Sequence, residues 1–320
     1  FIQNNGKTVR EFFFNSGTEE FTANSISLLS SHLVSTPVDS ATITSIGDRT
    51  EQFFFLVNSD GTIGVFTSQR AEKIAGWVLW TTDGTYESVA CTTGNIYAVV
   101  KRTINGSDVY NLEQFANTSF DVPTDCTTTK TISGSYQPHG TPLVNGAISS
   151  TTTLVADGFT NAPSQGETFQ FGGTGTTFTI QSATSTGNSG EYTIVLNTAT
   201  SQSDNTALQF VTSKVFSGLN SAPSLVGKTV HATSGSTEGG NIFYFGDGVV
   251  DSSGNVTFDT PISACDIGLL YSPTIHTLPI DATIQGGQLT GHPRKIGKAV
   301  VELSSTYNIQ INSNDVILTT

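Results

Sequence analysis

Residues 69–115 read QRAEKIAGWVLWTTDGTYESVACTTGNIYAVVKRTINGSDVYNLEQF, and this stretch decides the fold class. Three apolar runs, at 76–82 (GWVLWTT), 86–91 (YESVAC) and 95–100 (NIYAVV), are short and rich in aromatic and β-branched residues. Gly, Asn and Asp separate them, the pattern of strands joined by tight turns. Asn105-Gly106 is the pair favoured in a type I′ hairpin, whose two central residues both need φ > 0. Trp77 and Trp80 are three residues apart, so an extended strand points them to opposite faces, as expected of packing residues and not of one stacking platform.

The same grammar continues outward. Residues 1–15 (FIQNNGKTVREFFFN) read as two strands around Asn5-Gly6. Gly6 and Gly106 are 100 positions apart, roughly two propeller blades of about 40–45 residues. Strands are expected at 41–45, at 52–57 (QFFFLV) and at 62–67, the last two flanking an Asn58-Ser59-Asp60-Gly61 turn. The triplets Phe12-Phe13-Phe14 and Phe53-Phe54-Phe55 break strict alternation, which predicts strands covered on both faces, with all six rings in the core. Residues 24–33 (NSISLLSSHL) are the one helix candidate, or equally a surface turn with a short helix.

Downstream, residues 122–146 carry Pro123, Pro138 and Pro142 without clear periodicity, and read as a linker or the start of the next domain. Residues 147–214 hold five short strands (LVADGF, ETFQFGG, TTFTIQSAT, EYTIVLN, ALQFVTS), expected to form a small self-contained β-barrel or Ig-like sandwich. Residues 215–320 return to longer β-signals. The expected architecture is all-β. Partial propeller blades occupy 1–121, the linker 122–146, the inserted module 147–214 and a β-rich platform 215–320.

Bulk composition narrows the function classes. The chain has 320 residues, room for two or three domains, with 12% charged residues, 32 Gly and a formal net charge of −13. Thirteen basic residues cannot supply a general DNA-holding surface, because such binding needs Lys and Arg to displace counterions from phosphates. Cys91, Cys126 and Cys265 are odd in number and lack C-x-x-C spacing, which predicts buried free thiols. No apolar run approaches the ~18 residues of a membrane helix. The chain starts with Phe and contains no Met, as expected of a cleaved product or part of a longer polypeptide.

No catalytic constellation is visible, and no catalytic, cofactor-binding or metal-binding residue is assigned. His32, His139, His231, His276 and His292 stand apart without metal-ligand spacing. A Ser-His-Asp arrangement is formed only in space, so spacing cannot test it. Gly172-Gly173-Thr174-Gly175 lacks a following Lys and helix and reads as a hairpin loop. Ser59-Asp60-Gly61-Thr62 and Thr82-Asp83-Gly84-Thr85 read as turns whose Asp caps backbone amides. Asp247 and Asp251 lack the spacing of a calcium loop. Lys101-Arg102 and Arg294-Lys295 with Lys298 are small basic spots, read as solvated surface or as contacts to an acidic neighbouring subunit.

The joint order of these motifs resembles the tail nozzle (tail tubular protein B) family of short-tailed phages. The resemblance lies in Arg70 and Glu72, Trp77, Trp80, Thr82-Asp83-Gly84, Tyr86, Ser88-Val89-Ala90, Val99-Val100-Lys101-Arg102-Thr103-Ile104-Asn105-Gly106 and Glu113-Gln114-Phe115. It continues in residues 225–230 (LVGKTV), 254–256 (GNV), 267–271 (IGLLY), 277–279 (TLP) and 294–296 (RKI), covering about 1–120 and 215–312. Residues 147–214 interrupt the family pattern. The resemblance implies a non-enzymatic virion tail protein with no cofactor. It also implies a homo-hexamer docked to the tail adaptor ring and tail fibres, surrounding a channel through which genomic DNA passes without specific binding, with the host cell surface as a further contact. The alternatives are a host-surface glycan-binding tail module centred on 147–214, and a propeller depolymerase.

Overall fold

The computed structural model describes residues 2, 6–44, 51–69, 72, 74–115, 124–221, 224–234, 243–276, 283–284, 287–288, 300–302, 309–311 and 314–315. Among them the chain is all-β, apart from 3-10 structure at Ser31–Leu33 and at Glu72.

The N-terminal part is a stack of antiparallel layers. A hairpin of β1 (Arg10–Asn15) and β2 (Glu20–Ser25) stands first. A four-stranded meander follows, made of β3 (Pro37–Ile43), β4 (Gln52–Asn58), β5 (Ile63–Gln69) and β6 (Ile74–Trp80). A three-stranded sheet of β7 (Thr85–Thr92), β8 (Asn95–Ile104) and β9 (Ser107–Gln114) packs against it. The two sheets meet through one core: Ile43, Phe55, Val57, Ile63 and Val65 from the first, Tyr86, Val89, Ile96, Ala98 and Val100 from the second. Strand period explains the selection, since Phe55 pairs with Val65 and Val57 with Ile63 on one face. The other face of the meander packs Phe54, Leu56 and Trp77 against Val9, Ile26 and Val34. Trp77 and Trp80 thus serve separate cores, as their spacing predicts; Trp80 packs on Phe55 and Phe115.

Asp39 bridges the two sheets. Its carboxylate accepts hydrogen bonds from Ser88 Oγ at 2.6 Å and the Val89 amide at 3.0 Å. Burial alone would raise its pKa, but these bonds and one from the Ser40 amide outweigh burial and hold it below 3.8. A lowered folded-state pKa contributes stability above the unfolded value, lost as pH falls through the folded one. Asp39→Asn is therefore expected to destabilise the chain at neutral pH, with the gap to wild type closing below about pH 4, the unfolded carboxylate value. Urea midpoints across that range test this; a gap that does not change with pH refutes it.

The second half starts with β10 (Thr124–Thr131), an edge strand of a four-stranded sheet in the order β10, β20 (Ala264–Leu270), β17 (Thr229–Thr233), β18 (Tyr244–Val249). The five strands expected in 147–214 are β12 (Ile148–Phe159), β13 (Thr168–Phe171), β14 (Thr177–Ser185), β15 (Tyr192–Gln202) and β16 (Leu208–Phe216). They form a seven-stranded sheet with β11 (Gly140–Val144) at one end and β19 (Val256–Ile262) at the other. One core runs from Val144 to Phe210 and includes Phe169, Phe171, Phe178 and Ile180; a second joins Cys126 to Phe216, Val230, Phe258 and Ile267. Two further two-residue ladders lie at Thr283–Ile284 with Gly287–Gln288, and Gln310–Ile311 with Asn314–Asp315.

Several expectations need correction. Of the two readings of residues 24–33 the surface turn with a short helix holds and the full helix does not: Asn24 and Ser25 end β2, and Ser31–Leu33 makes a 3-10 turn. The stretch read as a linker contains β10 and β11; its Thr-rich run favours strand through β-branching, while an edge position leaves no apolar period to detect. Phe12 and Phe14 are 61% and 54% exposed, because among the described residues no second layer covers that face of the β1–β2 hairpin. Phe55 is fully buried, and Phe53 and Phe54 are half-buried. Asn105 and Gly106 take φ of 50° and 76°, as the hairpin requires. Asn5, Arg70, Arg294, Lys295 and Lys298 lie outside the described residues.

Candidate functional site

Two polar clusters stand out. The first joins the three-stranded sheet to β10. Arg102 lies on the inner face of β8, 2% exposed, and is not a solvated basic spot. Its guanidinium grips Glu113 of β9 with two bonds, Nε to Oε1 and Nη2 to Oε2, each 2.7 Å. Nη1 donates to the Asp83 carbonyl at 2.7 Å, and Asp125 Oδ2 lies 3.4 Å from Nη2. Thr82 donates its hydroxyl to Asp125, and Lys228 pairs with Asp83 at 2.6 Å. The turn at 82–84 is thus tied to both β10 and the segment before β17. Asp83 does not cap its own turn as expected, whereas Asp60 does, accepting the Thr62 amide at 3.0 Å. Gly84 is required where that turn passes β8: at φ +146°, a Cβ there would lie 2.3 Å from the Lys101 carbonyl oxygen. Lys101, on the opposite face, pairs with Asp108 at 2.9 Å.

Glu113, Asp125 and Cys126 place three ligand-type atoms within 4.8 Å of one another. The donor set does not suit a metal ion. Arg102 already occupies both oxygens of Glu113, and burial pushes the Cys126 thiol up, so the sulfur stays protonated and donates toward Glu113 at 3.9 Å. Cys126 also holds a positive φ of 53° at the bulge in β10, where its amide binds Asp125 Oδ1. The cluster is a joint that ties the three-stranded sheet to β10 and to the segment before β17.

The second cluster brings together His139, Glu167 and Ser213, all 0% exposed. His139 Nε2 lies 2.9 Å from Ser213 Oγ and 3.2 Å from Glu167 Oε2. Its residue types are those of a hydrolytic triad, but its geometry is not. A triad puts the carboxylate on Nδ1 and the nucleophile on Nε2. Here Nδ1 faces the Asn161 carbonyl at 3.0 Å, and the carboxylate shares the Nε2 side with the serine. Glu167 also accepts the amides of Lys214 at 2.6 Å and Ser164 at 2.7 Å, while Ser213 Oγ donates to the Val215 carbonyl at 2.9 Å and receives the Val215 amide at 3.0 Å. The rings of Phe210 and Phe159 stand beside the imidazole, at 4.3 and 6.3 Å. A buried carboxylate with this many donors is a structural pin. It ties the turn before β11 and the loop before β13 to β16.

Sequence reasoning missed both clusters. Ser213 is 74 positions from His139 and 46 from Glu167, and neither interval has a local signature. The Arg102–Glu113 pair had one usable signal: a hairpin centred on 105–106 places residues 102 and 113 on the same face. Asp251 spends its Oδ1 on the Ser253 and Asn255 amides of its own turn. All three cysteines are free, Cys126 and Cys265 buried and Cys91 half-buried; burial pushes the Cys265 thiol up to about 12. A shallow cleft of about 570 Å³ at residues 42–44 and 91–94 is lined, among the described residues, by no charged side chain. No described helix is long and apolar enough to cross a membrane. No family model matches the chain, and no curated protein does.

Proposed function

We propose that this chain is a structural subunit of a short phage tail, a nozzle component whose copies surround the passage through which genomic DNA leaves the virion. The observation that carries the reading is how the signature residues meet. The Arg102 of the Val-Val-Lys-Arg-Thr-Ile-Asn-Gly hairpin grips the Glu113 of the Glu-Gln-Phe ending, and Phe115 of that ending packs on Trp80 and Tyr86. Motifs that resemble the family's in order thus behave as one packing unit of a rigid scaffold. The net charge of −13 supports a wall that does not hold DNA, since a passage lined with phosphate-binding cations would retain what it must release. In this reading the chain is a homo-hexamer that docks to the tail adaptor ring and carries tail fibres. The strands of 147–214 share one sheet with β11 and β19, so in this reading they are part of the scaffold.

Negative-stain imaging of the purified full chain tests the proposal. Six-fold rings with an open centre are expected, together with no retention of duplex DNA in a low-salt binding assay. Particles without rotational symmetry around a hole, or tight salt-sensitive DNA binding, refute it.

A further inference from the structure

Asn-Gly steps occur at Asn5-Gly6, Asn105-Gly106 and Asn145-Gly146. The last two lie among the described residues, and both are solvent-exposed. Such a step is chemically labile in water. The Gly backbone nitrogen can attack the Asn side-chain carbonyl carbon, because no Cβ on the glycine stands in its way. The nitrogen must turn toward Cγ and the carboxamide must rotate to meet it, so hydrogen bonds to either group hold the reaction back. At 145–146 both reacting groups are tied. The Gly146 amide donates to Asp204 Oδ1 at 2.8 Å, and Asn145 Nδ2 donates to Glu191 Oε1 at 2.7 Å. Both bonds end on carboxylates, the stronger kind of acceptor. Glu191 is itself held by the Thr186 hydroxyl and by Asn188 Nδ2. At 105–106 neither group is tied: among the described residues the Gly106 amide and the Asn105 carboxamide make no hydrogen bond. The strands are closed by Ile104 and Ser107, outside the step. A Cβ on Gly106 would meet nothing within 4 Å, so the turn has room to move.

We infer that Asn105 is a site of spontaneous deamidation and that Asn145, with the same next residue and the same exposure, is protected by its hydrogen bonds. The Gly106 nitrogen bonds to Asn105 Cγ while the Cγ–Nδ2 bond breaks. The proton lost from the Gly106 nitrogen goes to the departing Nδ2, which leaves as ammonia. Water then opens the five-membered imide at one of its two carbonyl carbons. Opening at Cγ leaves an aspartate; opening at the main-chain carbonyl leaves an isoaspartate, whose backbone runs through Cβ and Cγ. Either product carries a new carboxylate at the tip of the β8–β9 hairpin. The isoaspartate also adds an atom to a two-residue turn whose residues both hold φ > 0. That tip rests beside the segment before β17, since Asn105 Oδ1 lies 3.9 Å from where a Cβ on Gly227 would stand. The modification therefore falls next to the Lys228–Asp83 pair of the joint.

Peptide mapping by mass spectrometry tests this on the full chain, incubated folded at neutral pH for several weeks. Each deamidation adds one mass unit, and fragmentation names the residue and separates isoaspartate from aspartate. Product is expected at Asn105 about tenfold faster or more than at Asn145, where a charge-assisted bond must break first. Asn105→Gly should abolish the first product and leave the rate at Asn145 unchanged; it keeps the turn, because Gly-Gly also suits type I′. Asp204→Ala, at an exposed position, removes the acceptor of the Gly146 amide and should raise the rate at Asn145 severalfold. In guanidinium, where the fold and its hydrogen bonds are gone, the two steps should react at similar rates. Equal rates in the folded chain, or faster reaction at Asn145, overturn the inference. So does an Asp204→Ala variant whose Asn145 reacts no faster, or a difference between the two steps that persists in the unfolded chain.

Discussion

Arg102→Met is expected to cost about 3 kcal/mol of stability, the lower end of the range for breaking a buried ion pair from one side. The loss is large because the partners remain. Glu113 and Asp125 lose their cationic partner with side chains only 19% and 30% exposed, and the Asp83 carbonyl loses its donor. The lower end applies because that partial exposure lets water reach the stranded carboxylates. Arg102→Lys should recover only part of the loss, since an ammonium cannot make two parallel bonds to Glu113. The double variant Arg102→Met with Glu113→Gln should lie above Arg102→Met alone, because it removes one stranded charge. Urea unfolding of the three variants reads this directly; an Arg102→Met loss under about 1 kcal/mol, the worth of an exposed pair, would show that the joint bears no load.

The second large effect separates two triplets identical in sequence. Phe55→Ala is expected to cost about 3–5 kcal/mol, the range for emptying a buried Phe site. Its ring is fully buried between the meander and the β7–β9 sheet, against Val57, Val65 and Trp80. Phe12→Ala should change monomer stability by about 0.5 kcal/mol or less, as surface substitutions do. Thermal unfolding of both variants at a concentration where the chain is monomeric makes the comparison; equal losses would mean that the β1–β2 hairpin is covered within the chain.

Much of the fold was legible because its signals are local. The Asn105-Gly106 turn, the alternation along β8 and the opposed directions of Trp77 and Trp80 depend on a few adjacent dihedrals and on the two-residue period of a strand. The five strands of 147–214 were legible for the same reason, since each is a short run bounded by Gly, Asn or Asp. The missed strand β10 is polar and lies at a sheet edge, so it carries no apolar rhythm. A full helix at 24–33 would need a buried apolar face, but its adjacent Leu28 and Leu29 are 74% and 90% exposed, and the segment takes the turn with a short helix instead.

The clusters were a different matter. Arg102 read as a surface charge because nothing near it in sequence reveals that the 82–84 turn and Asp125 close over it. His139, Glu167 and Ser213 were three scattered polar residues until the turn before β11, the loop before β13 and β16 converged. From the sequence alone came the all-β class, the positions of the tight turns and the acidic balance that argues against a DNA-holding surface. Only the tertiary structure decided which apolar and charged side chains lie inside, because burial depends on which sheet faces meet, and that is settled by contacts between residues far apart in the chain. Phe12-Phe13-Phe14 and Phe53-Phe54-Phe55 show it most plainly: the same three letters lie on an exposed hairpin face where no described sheet packs, and contribute to a core where one does.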